Sequence, residues 1–320
     1  MTWEKEVKDI KKREELSLKH GGEESVKIHH QKGRKTLRER LSIILDDGSF
    51  QEIGKIAGDA EYDENGELKD FTPANFLLGF GKINKRSVII GGEDFTMKGG
   101  SPNPSGLRKS IYTEELALKY KIPLVRLHEG GGGSVAGSGG TAKKPTVPSG
   151  DAVFSKNRFQ ALAQCLGTIP VATAALGPVA GLPAARLVAS HFSVMTKNSQ
   201  VLIAGPAVVK RALGIDITKE DLGGPNVHLK SGAVDNLAED EDDALNQIKI
   251  FLSYLPNNYL ELPPKKETKD KRNRIENELL TIIPKERRKT YDVRKLLSLI
   301  LDLNSFFEYG KYYGSSLITG

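Results

Sequence analysis

The segment VRLHEGGGGSVAGSGG, from Val125 to Gly140, joins a short apolar run to a loop made largely of glycine. Glycine has no Cβ, so its backbone N–H groups can approach a ligand closely and stabilise a developing negative charge. A second sequence of this kind, GPVAG, follows another apolar run. The two predicted strand-to-turn sites, Gly131 with Gly132 and Gly177 with Gly181, favour a cleft that holds an oxyanion.

Three alternatives to an oxyanion site exist for the first glycine loop. Gly131, Gly133 and Ala136 match the G-x-G-x-x-A pattern of a dinucleotide site, but that site needs a helix directly after the glycines. The segment 138–150 contains two prolines and has no helical periodicity. A P-loop would require Gly-Lys-Ser/Thr after the run, which is absent. A flexible loop without a function remains the third alternative.

Side chains able to act as acids, bases, nucleophiles or metal ligands are scarce around the glycines. His128 and Glu129 are the only candidates for a general base beside the loop, and neighbours on a strand point to opposite faces, so at most one can enter the cleft. The single cysteine, Cys165, lies in an apolar stretch and is predicted to be a small buried hydrophobic residue. The six histidines show no metal-ligand spacing, so no metal site is predicted.

Composition excludes several classes of protein. The 320 residues include 28% charged and 38% hydrophobic residues, as is usual for a globular protein. The net charge of +6 arises from basic residues interspersed with acidic ones, without a basic stripe or zinc-finger spacing, which disfavours nucleic-acid binding. No apolar run has the length of a membrane span, and the N-terminus has no signal core. We therefore expect the protein to be located in the cytoplasm or the mitochondrial matrix.

An internal repeat determines the predicted domain organisation. The segments RERLSIILDDGSFQEIGKIAG (38–58) and RKLLSLILDLNSFFEYGKYYG (294–314) are offset by 256 residues and share 12 of 21 positions. We interpret residues 1–45 as an N-terminal helical region, 46–289 as one complete domain, and 290–320 as the start of a truncated second copy. A function that needs both copies would then be incomplete in this chain.

Periodicity predicts an α/β fold, because strand-like and helix-like segments alternate. A tight turn at Asn84 and Lys85 is expected to join two of the strands. The predicted helices are 4–19, 34–45, 105–120 and 153–164, and the predicted strands are 75–83, 86–92, 123–129 and 169–176.

Several segments together resemble one enzyme family. They are KGRKTLRERLSIILDDGSFQEIG, EDFTMKGGS, LALKYKIPLVRLHEGGG, LGPVAG, IAGPAVVK, KEDLGG followed by His228, and FLSYLP. From about Gly21 onward the chain resembles the carboxyltransferase (β) subunits of biotin-dependent acyl-CoA carboxylases, such as propionyl-CoA and methylcrotonyl-CoA carboxylase. The resemblance implies a crotonase-like (ClpP/crotonase) superhelical ββα fold, of which this chain contains the N-domain of a duplicated pair.

The resemblance also implies a mechanism and site residues. CO₂ released from carboxybiotin is attacked by the enolate of a short acyl-CoA, after the freed biotin nitrogen has taken the α-proton. The amides of Gly131 and Gly132 would bind the enolate oxygen, while the oxyanion site for biotin would lie in the C-domain. The CoA contacts would come from KGGSPNPSGLRKS, namely Gly99, Gly100, Arg108 and Lys109.

The implied partners are a biotin carboxylase, a biotin carrier and further copies of the chain in a hexamer. Two alternatives remain open: a decarboxylase carboxyltransferase of the same fold, and a non-catalytic assembly subunit. The latter is suggested by departures from the family pattern at Ser134 to Gly140, Leu182 and Asp235. If the second copy is truncated, the isolated chain should bind CoA thioesters weakly and should not transfer carboxyl groups.

Overall fold

The computed structural model describes residues 2–132, 158–268 and 270–320, in which helices and strands alternate as predicted. The α-helices are α1 Glu4–Ser17, α2 Glu23–Gln31, α3 Leu37–Ile44, α4 Pro104–Tyr120, α5 Arg158–Leu166, α6 Leu182–Val188, α7 Pro206–Leu213, α8 Lys219–Gly223, α9 Pro225–Ser231, α10 Glu241–Ser253 and α11 Val293–Ile300. The strands are β1 Gln51–Glu52, β2 Gly58–Tyr62, β3 Leu68–Pro73, β4 Phe76–Ile83, β5 Arg86–Glu93, β6 Leu124–Gly130, β7 Val171–Ala180, β8 Phe192–Thr196, β9 Gln200–Leu202 and β10 Asn236–Ala238. Among the described helices, none is long and apolar enough to cross a membrane.

One eight-stranded sheet positions everything that follows. Its order is β1-β4-β5-β6-β7-β8-β10, and β9 pairs with the second half of β7. The β1–β4 and β4–β5 pairs are antiparallel, whereas the pairs from β5 to β10 are parallel. At the end of β6, Gly130 pairs with Val179 of β7. The glycine loop after β6 and the turn after β7 therefore leave the sheet as neighbours.

Helices cover both faces of this sheet, as a parallel sheet requires. The apolar residues of α3 and α10 pack on one face with Val125 and Leu127 of β6. Residues of α4 and α5, including Cys165, pack on the other face with Leu124. Every residue of β6 is buried, so the strand delivers its carboxyl end to the interior rather than to an exposed edge.

The predicted hairpin turn between β4 and β5 is confirmed. Asn84 and Lys85 both have positive φ, 51° and 66°, which is the geometry of a tight two-residue hairpin turn. The carboxylate of Asp46 accepts hydrogen bonds from both N–H groups, at 2.9 Å from Asn84 and 2.6 Å from Lys85. Asp46 belongs to the repeated segment, so the first repeat holds its hairpin through this side chain.

The two repeat segments adopt the same local structure. α3 and α11 begin and end at positions 256 residues apart. The pair Arg38–Glu52, at 2.9 Å, recurs as Arg294–Glu308, at 2.6 Å. Burial differs, since Ile44 is completely buried whereas its counterpart Ile300 is 57% exposed. These correspondences support the predicted duplication, which remains a proposal.

The repeat offers a matched test of the hairpin contact. Replacing Asp46 with alanine should lower the free energy of unfolding by about 2 kcal/mol, because two charge-assisted hydrogen bonds are lost. Asp302, at the corresponding position, is exposed, and its alanine variant should change stability by less than about 0.5 kcal/mol. Urea denaturation of both variants measures the difference. Equal effects would show that the Asp46 contacts do not contribute to stability.

Two predicted boundaries were wrong. The helix expected from residue 34 begins at Leu37, because Thr36 and Glu39 form a capping box that fixes its start. Gly177 was expected in a turn but lies within β7, since β9 extends the sheet and continues the strand to Ala180. The start of the helix predicted at 153–164 lies outside the described residues.

Candidate functional site

A cleft of about 300 Å³ lies at the carboxyl ends of β5 and β6, between α4 and α6. Its walls are partly apolar, which restricts water, and partly polar. The apolar side chains are Phe76, Leu107, Leu182 and Pro183. The polar ones include Glu93, Ser110 and Arg186, and Gly132 also borders the cleft.

Gly132 brings the two glycine segments together. A Cβ placed on Gly132 would lie 3.0 Å from both the carbonyl oxygen of Ala180 and Cα of Gly181, so only glycine fits without displacement. The N–H of Gly132 donates to no acceptor within the described residues. The N–H of Gly181 donates to the carbonyl of Leu202 at 2.9 Å. Of Gly132 and Gly181, Gly132 is thus the one whose N–H has no acceptor among the described residues, and it borders the cleft.

The neighbouring amide is already in use. The N–H of Gly131 donates to the carbonyl oxygen of Gly99 at 3.0 Å, which turns it away from a ligand in this conformation. The predicted pairing of Gly131 and Gly132 as oxyanion donors therefore stays a prediction, and an oxyanion contact from Gly131 would first require this bond to break.

The segment predicted to bind CoA contacts the glycine loop directly. Gly99 and Gly100 form a single 3₁₀ turn with positive φ, and Gly100 packs against the backbone of residues 129 and 130. The hydroxyl of Ser101 donates to the carbonyl oxygen of Gly132 at 3.0 Å. These contacts give Gly99 and Gly100 a structural task, and their predicted contact with CoA remains untested.

Arg108 and Lys109 differ sharply in environment, although both lie in the first part of α4. Arg108 is exposed and remains a candidate for CoA phosphates. Lys109 is only 8% exposed, its ammonium donates to the carbonyl of Gly54 at 3.2 Å, and it lies 3.7 Å from Glu52. Burial lowers the pKa of Lys109 to about 8. Its internal partners leave the predicted CoA contact of Lys109 without structural support.

His128 and Glu129 point to opposite faces of the sheet, as predicted for neighbours on a strand. His128 is buried on the cleft side, where its Nδ1 lies 3.1 Å from the carboxylate of Glu93. Burial raises the pKa of Glu93, but the facing His128 and the charge of Arg186 outweigh it, so the pKa lies below its ordinary value. Glu93 is therefore a buried carboxylate at the edge of the cleft.

Glu129 lies on the other face in a cluster of cationic groups. Its carboxylate lies 3.0 Å from Arg34, 2.6 Å from Arg40 and 3.5 Å from His29. Burial raises the pKa of Glu129, but the His29 contact and the charges of both arginines bring it below the ordinary value. Such a carboxylate is a poor general base. Its side chain also occupies the space that a Cβ on Gly177 would need.

Several polar residues of the site were missed in the sequence. Arg186 donates to Ser110 at 2.8 Å and pairs with Glu114 at 3.1 Å beneath the cleft. The sequence feature that could have identified Arg186 is that it is the only charged residue in the apolar segment LPAARLV. Ser101 lies within the segment that was singled out for its glycines and its two cations, and its hydroxyl was not considered. Within the described residues, no group of three or more His, Cys, Asp or Glu side chains is arranged to hold a metal ion.

Comparison with known proteins gives consistent matches. Residues 28–320 match the model of the carboxyl transferase domain. The chain is 30% identical to the carboxyltransferase subunit of propionyl-CoA carboxylase from Haloferax mediterranei, covering all of this chain and 60% of that protein. It is 31% identical to the methylmalonyl-CoA decarboxylase subunit alpha of Veillonella parvula, covering 93% of this chain and 57% of that protein. The chain thus spans about three fifths of the length of these relatives.

A solved structure gives the same result for the fold. The structure of transcarboxylase 12S, with methylmalonyl-coenzyme A and methylmalonic acid bound, superimposes with a TM-score of 0.84 at 29% identity. The match covers the whole of this chain and 61% of the transcarboxylase chain. That protein is described as a hexamer assembly.

Proposed function

The chain belongs to the carboxyl transferase domain family, and from this premise we propose that it carries the carboxyltransferase reaction of a biotin-dependent acyl-CoA carboxylase. The predicted crotonase-like fold is confirmed by the family match and the solved structures. Two relatives named as carboxyltransferase or β chains of propionyl-CoA carboxylase support a short acyl-CoA as the acceptor.

The single observation that carries the proposal concerns Gly132, which borders a partly apolar cleft and whose N–H has no acceptor among the described residues. An N–H group held in such a place can stabilise the oxygen of a thioester as its carbonyl becomes an enolate. The apolar walls of the cleft strengthen this interaction because they restrict water. The acyl-CoA would therefore bind with its thioester oxygen at Gly132.

Carboxybiotin would release CO₂, and the freed biotin nitrogen would then accept the α-proton of the acyl-CoA, whose enolate attacks the CO₂. By resemblance its oxyanion site belongs to the second copy of the domain, so we assign it no residue of the described chain. The side chains nearest the cleft fit this division of labour: Glu93 and Arg186 are both engaged by other protein groups. Glu93 is therefore not free to act as a nucleophile, and the guanidinium of Arg186 is a cation without nucleophilic character.

The proposed partners follow from the same reaction. A biotin carboxylase would charge a biotin carrier, and the carrier would deliver carboxybiotin to an oligomer of this protein. The hexamer described for transcarboxylase 12S supports a hexamer here. We place the protein in the cytoplasm or the mitochondrial matrix, since the pig and human relatives are named as mitochondrial.

Replacing Gly132 with alanine should remove the preference for a thioester over its thioether analogue. Wild-type protein should bind propionyl-CoA about fivefold more tightly than S-propyl-CoA, which lacks the carbonyl oxygen, because a neutral hydrogen bond contributes about 1 kcal/mol. In the variant, the added Cβ displaces the amide. Calorimetric titration measures both affinities, and carboxyl transfer by the protein with its accompanying subunits should fall about a hundredfold.

Gly131→Ala is the matched control for this test. Among the described residues, the nearest neighbour of a Cβ on Gly131 would be the carbonyl oxygen of Gly99, at 3.7 Å, which is an ordinary contact distance. The control should keep both the thioester preference and the transfer rate. If Gly132→Ala behaved like this control, the assignment of the Gly132 amide would be rejected. A wild-type protein that binds no CoA thioester would instead indicate a non-catalytic assembly subunit.

A further inference from the structure

We propose that Ser101 is a positioning residue for carboxyl transfer, because its hydroxyl fixes the backbone that aims the Gly132 amide into the cleft. This inference rests on the proposed function above and adds to it a side chain that acts through the backbone. Ser101 does not itself touch the thioester.

Two hydrogen bonds bracket the peptide that carries the Gly132 N–H. The N–H of Gly131 donates to Gly99 O, which fixes the peptide before it, and Ser101 Oγ donates to Gly132 O, which fixes the peptide after it. Both distances are 3.0 Å. Since each peptide unit is planar, holding the two outer units limits the rotation of the middle one. The direction of the Gly132 N–H is set by this pair of bonds.

The loop needs such support because of its composition. Gly131 and Gly132 lack side chains, so neither sterics nor packing of their own restricts their dihedral angles strongly. Within the described parts of the chain, Ser101 provides the only side chain that is hydrogen-bonded to residues 130–132. Removal of its hydroxyl leaves one of the two outer peptides without a fixed partner.

Ser101 is itself anchored to rigid structure. The side-chain amide of Asn75, which is 2% exposed, donates to the carbonyl oxygen of Ser101. The same amide group accepts from the N–H of Asn103 at 3.0 Å, and Asn103 caps α4 by accepting from Gly106 at 2.7 Å. The hydroxyl of Ser101 thus connects the glycine loop to the start of the longest described helix. Through this connection, the start of α4 helps to fix the position of the Gly132 amide.

The test compares Ser101→Ala with Ser101→Thr, which keeps the hydroxyl, and with Ser105→Ala as a control at a half-buried serine of α4. The protein is assayed with its accompanying subunits, using carboxybiotin and propionyl-CoA. Ser101→Ala should lower kcat about fivefold, the effect of losing one hydrogen bond, while KM for propionyl-CoA changes little. Ser101→Thr should restore most of the rate, and Ser105→Ala should match the wild type.

The infrared C=O stretch of bound propionyl-CoA, labelled with ¹³C at the carbonyl, supplies a readout that general destabilisation would not move. Ser101→Ala should shift this band towards its value in free propionyl-CoA, since the amide polarises the carbonyl less. An unchanged band and kcat in Ser101→Ala would overturn this inference alone. Failure of Ser101→Thr to restore either property, when it melts like the wild type, would also overturn it. Wild-type protein without thioester binding would reject the proposed function and this inference together.

Discussion

Replacing Gly100 with alanine should lower the free energy of unfolding by about 4 kcal/mol. The new Cβ would lie 2.6 Å from both the carbonyl oxygen of Glu129 and Cα of Gly130, and both are backbone atoms that cannot rotate away. The residue also has a φ of +67°, which strains any residue with a Cβ. Relief would require the glycine loop to move off the turn, so thioester binding should be lost in whatever protein still folds.

The variant Gly99→Ala separates the steric clash of the new Cβ from the strain of the positive φ. Gly99 has a similar φ of +61°, but among the described residues its new Cβ would meet nothing closer than the Phe95 ring, at 3.9 Å. Its cost should therefore be about 1 kcal/mol, the backbone strain alone. Urea denaturation followed by circular dichroism measures both variants. If the two variants lost equal stability, the close packing of Gly100 on the loop would not be what holds it.

Replacing Arg40 with alanine should have an effect of similar size, about 4 kcal/mol. The Arg40 side chain is 1% exposed and lies between two carboxylates, 2.6 Å from Glu129 and 2.7 Å from Glu241. Its removal leaves both carboxylates buried without their main cation. Because Glu129 sits at the end of β6, the N-terminal helices should lose their attachment beside the glycine loop.

Arg294→Ala is the control for the Arg40 variant. Arg294 also pairs with a carboxylate, Glu308, but it is 51% exposed and screened by solvent, so its loss should destabilise the protein far less than the loss of Arg40. The pH dependence gives a second check. The lowered pKa of Glu129 stabilises the folded wild type above the unfolded value of about 4.3, and this contribution is lost as the pH falls through the folded value. The deficit of Arg40→Ala should therefore shrink in acid, and a constant deficit would contradict the ion-pair explanation.

Features set by neighbouring residues were predictable from the sequence. The hairpin turn at Asn84 and the buried strand before Glu129 follow from local pattern, and both were confirmed. Gly177 was misplaced because its strand continues through long-range pairing, chiefly with β9, which begins 23 residues later in the chain. Local sequence does not contain that pairing.

In the candidate site, too, local sequence fails where distant residues decide the structure. Gly131 and Gly132 look alike in the sequence, and only the distant Gly99 distinguishes them by accepting one of their amides. Arg108 and Lys109 are adjacent cations, yet the rotation of α4 exposes one and buries the other. The second helix, α2, was missed because Gly22 precedes it without a side-chain cap. Tertiary contacts therefore make the first two distinctions, whereas the missed helix lacks a local start signal.

Because Gly130 pairs with Val179, the spacing of hydrogen-bonded strands fixes the distance between the two glycine segments beside the cleft. The loop after β6 and the turn after β7 leave adjacent strands, so their separation starts from the roughly 4.8 Å between paired strands. Loop mutations cannot widen that interval without breaking the sheet. Under the proposed function, adaptation to a longer or shorter acyl chain would then have to come from the helical walls, where Leu107 and Leu182 can be enlarged or trimmed while Gly132 keeps its place.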